Sequence, residues 1–144
     1  MTDSAGEDRA RDARAEGRAR TLLGSVAGAE VLASYEELGV VAVHGRGEYG
    51  YLLYPHRPIV AFDSRTRELL SELCVRFPCE QGGEAGGRLP DADDVLAKWL
   101  ALRADERGLV STANLDRPGR QLDPAMVRRD LERLRTWSPV GATA

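Results

Sequence analysis

Lysine is nearly missing from this chain: Lys98 stands alone, and arginine supplies 19 of the 20 basic residues. With that bias, an arginine at any single position says little about what it binds. The net charge is only −3, without the strongly basic footprint of a dedicated nucleic-acid binder. No apolar run approaches the roughly 18 residues that cross a bilayer. The first residues are rich in Asp and Glu, unlike the apolar core of a signal peptide. The chain is therefore expected in the cytoplasm with no membrane partner, and its two cysteines, Cys74 and Cys79, are expected to be reduced. No serine or cysteine occupies a recognisable nucleophile elbow, and there is no internal repeat.

The 144 residues, 42% hydrophobic and 30% charged, suit one domain large enough for a core. Residues 1–20 carry almost no side chain that is both apolar and larger than alanine, so a flexible polar arm or a frayed helix is expected there. Residues 21–137 make the folded domain, and 138–144 a flexible tail. From Thr21 to Leu38, apolar residues recur at helical spacing, although residues 29–38 also suit a strand. Gly39 stands where a helix would stop.

The stretch Val40–Phe77 holds the β-rich runs and both histidines. Val40–His44 reads as a strand, and Gly45–Gly50 as a turn. The next strand, from Tyr49 or Gly50 to Tyr54, alternates, with Tyr49, Tyr51 and Leu53 on one face and Leu52 and Tyr54 on the other. Pro55 and Pro58 end it. Ile59–Phe62 is a third strand, and Asp63–Arg67 a polar turn. Residues 68–73 fit helix or strand, with a strand pairing back onto Ile59–Phe62 the natural continuation. Short polar connections predict antiparallel neighbours.

After a glycine-rich loop, Asp91 is expected to cap a helix whose buried stripe is Val95, Leu96, Trp99, Leu100 and Leu102. Asp93 and Asp94 complement its positive end. Asp123-Pro124 opens the last helix, with Val127, Leu131 and Leu134 on one face. The predicted architecture is α+β. It is an antiparallel β-meander of three to five strands packed against two C-terminal helices, with an N-terminal helix or disordered arm. Both C-terminal helices are expected on one sheet face.

Gly45-Arg46-Gly47-Glu48-Tyr49-Gly50 matches a glycine pattern that lets backbone amides approach phosphate. Between two strands it resembles the phosphate-covering loop of protein kinases. That resemblance implies a lysine on the next strand, and Pro58–Phe62 has none. A plain hairpin turn is the expectation. His44, His56, Cys74 and Cys79 are the only set with zinc-type ligands; Cys74 and Cys79 are tolerable as one close pair, whereas His44 and His56 are not a close pair and only hairpin pairing could bring them together. The Asp91, Asp93 and Asp94 cluster is read as helix capping, and neither metal nor cofactor is expected. Met126-Val127-Arg128-Arg129-Asp130-Leu131 resembles the recognition helix of DeoR-type winged helix-turn-helix regulators. The resemblance implies Arg120, Arg128, Arg129 and Arg133 as contacts to DNA phosphates and bases. Pro118-Gly119 interrupts the supporting helix that it requires. An arginine-rich outer face on a packing helix is the competing account.

With no complete catalytic constellation, the leading expectation is a small non-enzymatic binding or adaptor protein whose partner is protein, itself or another chain. Tyrosine favours interfaces, and two prolines stiffen the Tyr-Pro-His-Arg-Pro corner, so Tyr51, Tyr54, His56 and Arg57 are the candidate binding residues. A DNA-binding accessory or regulatory protein is the first alternative. A small enzyme is the second, with His56 as base beside a carboxylate.

Overall fold

A computed structural model describes residues 4–75, 89–112 and 121–138. Helices α1 (Ser4–Ala27) and α2 (Ala29–Leu38) precede four strands, β1 (Val41–His44), β2 (Tyr49–Leu53), β3 (Ile59–Asp63) and β4 (Leu69–Leu73). Helices α3 (Asp91–Thr112) and α4 (Pro124–Thr136) follow. The strands form one antiparallel sheet in the order β1-β2-β3-β4, the predicted meander.

Helix α1 begins at Ser4, inside the stretch expected as a flexible arm. Its anchor is narrow: Ala19 and Leu23 are buried, and the remaining faces are largely solvated. The helical reading of 29–38 holds, with a break at Gly28 (φ 111°) that turns α2 back beside α1. Gly24 makes that return possible. A Cβ there would stand 2.8 Å from Leu32 Cδ2. Gly39, left-handed at φ 75°, donates its N–H to Tyr35 O at 3.0 Å and ends α2 as expected.

The alternation along β2 sorts the core into two. Tyr51 and Leu53 join Val41, Val43, Ile59 and Ala61 under α1 and α3, with Leu23, Val95, Leu96 and Leu102. Leu52 and Tyr54 join Val40, Val60 and Phe62 under α4, with Leu122, Val127 and Leu131. The two C-terminal helices thus cover opposite faces, not one, and α1 joins α3 on its side. Sequence stripes show that a helix buries a face, but not which sheet face receives it. Residues 68–73 resolve as strand. Leu70 is an extra residue between Leu69, opposite Phe62, and Ser71, opposite Ala61, and it bulges the edge.

The last helix opens as predicted: Asp123 Oδ1 accepts from Ala125 N at 3.0 Å, with Pro124 in the first turn. Just before it, the Glu72 carboxylate on β4 accepts from the Gln121 and Leu122 amides at 2.6 and 2.9 Å. The start of α3 differs. The Ala92 amide is capped by Glu16 Oε1 of α1 at 3.0 Å, while Asp91 and Asp94 turn toward the β2–β3 corner.

Candidate binding cleft between α2, β1 and α4

The Tyr-Pro-His-Arg-Pro corner is rigid, as its prolines suggest, but α3 holds it from within. His56 takes a left-handed backbone at φ 58°. Its N–H donates to Asp94 Oδ2 at 2.8 Å. The Lys98 ammonium donates to the same carboxylate oxygen at 2.5 Å, to Tyr54 O at 3.0 Å and to Arg57 O at 2.8 Å. Lys98 and Asp94 are both buried, so the chain's one lysine is a fully engaged internal strut. The His56 ring is enclosed, with Nε2 3.1 Å from Asp91 Oδ1 and Nδ1 3.9 Å from Asp94 Oδ1. With both ring nitrogens turned to carboxylates, neither is presented to a substrate as a general base requires.

Tyr51 and Tyr54 do not form the exposed aromatic surface expected of them. They are 1% and 8% exposed and lie on opposite faces of the sheet. The Tyr51 hydroxyl donates to Glu106 Oε2 at 2.6 Å, and that of Tyr54 to Asp130 Oδ2 at 2.7 Å. Burial, then the hydrogen-bonded carboxylate, pushes both phenols above their ordinary range. Arg57 is exposed, unlike the two tyrosines. Tyr49, exposed at 48%, is the outward-facing tyrosine of β2.

The glycine turn is a hairpin, and Gly45 and Gly50 make room for side chains. Glu106 Oε1 accepts the Arg46 amide at 2.8 Å, so a carboxylate holds the position the kinase-like reading gave to phosphate. Glu106 reaches it because α3 breaks at Asp105 (φ −156°, ψ 72°). A Cβ on Gly45 would lie 2.9 Å from both Glu106 Cδ and Tyr49 O. Gly50 leaves space for the Phe62 ring, whose Cε2 would be 2.7 Å from a Cβ there.

His44 pairs with Gly50 at one end of the β1–β2 hairpin, whereas His56 follows the other end, so hairpin pairing separates the histidines instead of joining them. Cys79 lies outside the described residues. Among those described, no three His, Cys, Asp or Glu side chains stand close enough to hold a metal ion. No described helix is long and apolar enough to cross a membrane. On α4, Arg128, Arg129 and Arg133 are exposed, opposite buried Val127 and Leu131. Arg133 reaches back to Asp130 at 3.0 Å. Arg120 and most of the Thr112–Arg120 segment lie outside the described residues.

The side chains that converge on open space are others. A cleft of about 350 Å³ runs between α2, β1 and the C-terminal end of α4, within the roughly 300–1,000 Å³ usual for ligand pockets. Leu122 and Val127 lie beside β3 and β4, and Leu131, Leu134 and Trp137 line the cleft beside β1. Ala42 and the Phe62 ring make an apolar floor, with Val31 of α2 as a wall. His44, Ser64, Arg67 and Arg135 form a basic, polar rim, opposed by one carboxylate, Glu30.

Local chemistry aims Arg67 into that rim. Asp63 Oδ1 accepts the Arg65 and Thr66 amides at 2.8 and 3.0 Å, and Arg67 adopts φ 64°. The Thr66 and Arg65 amides hold the Asp63 carboxyl below the usual carboxylate range. Arg67 Nη1 then donates to Leu131 O at 3.3 Å, one helical turn before Arg135. The two guanidinium groups are thereby brought to the same end of the cleft as His44 and Ser64.

Among the described residues, nothing pairs with the outer backbone beside the cleft. Gly45 N donates to Tyr49 O at 2.9 Å, which fixes the phase of the β1–β2 ladder. Val43 and Val41 therefore exchange bonds with Tyr51 and Leu53. The N–H and C=O groups of Ala42 and His44 point away from the sheet, since β1 is an edge strand. Their side chains share the α4 face, so the unpaired edge and the cleft adjoin. No protein-family model, curated protein or solved structure matches the chain.

Proposed function

We propose that this protein is a non-catalytic binding module that takes up an extended segment of a partner protein along β1. The observation that carries this reading is the outward N–H and C=O pairs of Ala42 and His44 at the lip of the cleft. A strand added there gains main-chain hydrogen bonds, and every second side chain faces the cleft. The rim charges argue for a partner of other composition over a second copy, because the same arginines recur in every copy.

Ala42→Pro tests this reading. It removes one outward donor and leaves the bonds of Val41 and Val43 to β2 intact, as proline is tolerated on an edge strand. Extended peptides selected from a random library should protect the Ala42 and His44 amides from exchange, and the variant should lose their binding while keeping its circular dichroism. Selected peptides that bind the variant unchanged, or a chain that dimerises through β1, would sink the proposal.

A second reading keeps one observation of its own: Arg128 and Arg129 are exposed on the outer face of α4, where a nucleic-acid backbone could lie. A gel shift at low salt, where phosphate contacts are strongest, decides it. No retardation there removes DNA from consideration.

A further inference from the structure

On the strand-addition reading, we infer that the bound segment is acidic, with an apolar side chain and a carboxylate two positions apart. The cleft has two chemically distinct ends. Near the start of β1, Ser34 Oγ donates to Val40 O at 2.7 Å, and Val31, Ala42 and Leu134 leave an apolar hollow. At the far end stand His44, Ser64, Arg67 and Arg135. Residues i and i+2 of a strand lie on one face, about 7 Å apart. A segment paired with β1 therefore presents one side chain over Ala42 and the next on that face over His44.

The first position calls for an aliphatic or small aromatic group, which packs beside Ala42 and Leu134. The second calls for an anion. Arg67 is already anchored on the Leu131 carbonyl, so little side-chain freedom remains to be lost when it meets a carboxylate. Arg135 is held only by an exposed contact to Glu132 at 3.7 Å and is available to swing in. A lysine or arginine at the second position would face two guanidinium groups in a partly enclosed site.

The test uses blocked, fluorescently labelled nonapeptides of β-forming residues. One carries Leu and Glu two positions apart in the middle, and its counterparts carry Gln or Lys in place of Glu. Anisotropy titration of the full chain at low salt is expected to show the Glu peptide binding about tenfold tighter than the Gln peptide, the difference a charge-assisted bond supports. The Lys peptide should bind more weakly still. Arg135→Glu, an exposed substitution chosen to leave folding intact, should erase or reverse that order, and Arg67→Glu should do so more strongly. If all three peptides bind alike and Ala42→Pro abolishes them, the acidic preference is wrong and strand addition stands. If they bind Ala42→Pro unchanged, strand addition itself is wrong. Failure of all three to bind overturns both.

Discussion

Lys98 and Asp94, one turn apart on α3, form a buried ion pair that also holds the two carbonyls and one amide of the β2–β3 corner. Removing one partner leaves the other charge buried. Lys98→Met is therefore expected to cost about 3–5 kcal/mol, and Lys98→Met with Asp94→Leu distinctly less than the sum of the singles. Urea denaturation of the three variants measures this. Additive losses would mean that the pair is not coupled.

The tyrosine latches predict a different pattern. Tyr51 ties the sheet to α3 through Glu106, and Tyr54 ties it to α4 through Asp130. They share no partner and occupy separate cores. Tyr51→Phe and Tyr54→Phe should each cost about 1–3 kcal/mol, with the losses summing in the double variant. A thermal melt showing one variant as stable as the parent chain contradicts that latch.

Acid should loosen the contact between α1 and α3. Burial alone pushes the Glu16 carboxyl up. The Ala92 amide, the Tyr35 hydroxyl and Arg20 outweigh it, and the net pKa is lowered. A carboxyl with a lowered folded-state pKa contributes stability above its unfolded value and loses it as pH falls through the folded value. Glu16→Ala should then destabilise the protein at pH 7, with the difference shrinking as the pH drops through and below the ordinary carboxylate range. A difference independent of pH over that range would show that the Glu16 charge plays no part. Asp93 runs the other way. Burial and the neighbouring Glu16 raise its pKa, so it opposes folding as pH rises through that range.

The glycine pattern can be split experimentally. Gly45→Ala presses on the Tyr49 carbonyl and on Glu106, so it should destabilise by about 1–3 kcal/mol. Gly47 has nothing within 4 Å of a Cβ. Gly47→Ala should be neutral or gain up to about 1 kcal/mol by restricting the unfolded chain. Comparable losses in both variants would contradict the hairpin account.

Local signals were legible in the sequence. The period-2 run at Tyr51–Tyr54, the polar turn at Asp63–Arg67 and the Asp123-Pro124 helix start all folded as their chemistry dictates. Helix α1 was less legible because its burial rests on Ala19 and Leu23 and on a polar link, Glu16 to Ala92, that spans 76 positions. Tyr51 and Tyr54 were placed on their correct opposite faces, yet their exposure depended on α3 and α4 arriving from both sides. The cleft had no local signature at all. Val31, Ala42, Phe62, Arg67 and Trp137 come from five elements or turns, and only tertiary packing gathers them. His44 was visible as a histidine at a strand end, but its place beside two arginines was not.

Gly50 has a consequence beyond the turn that contains it. The Phe62 ring lies across β2 because position 50 has no side chain, and that ring is the floor of the cleft. On the proposed binding reading, the depth available to a guest is therefore governed by a missing methyl group on β2. Related chains that differ at this one position would be expected to differ in what they accommodate, even with every lining side chain the same.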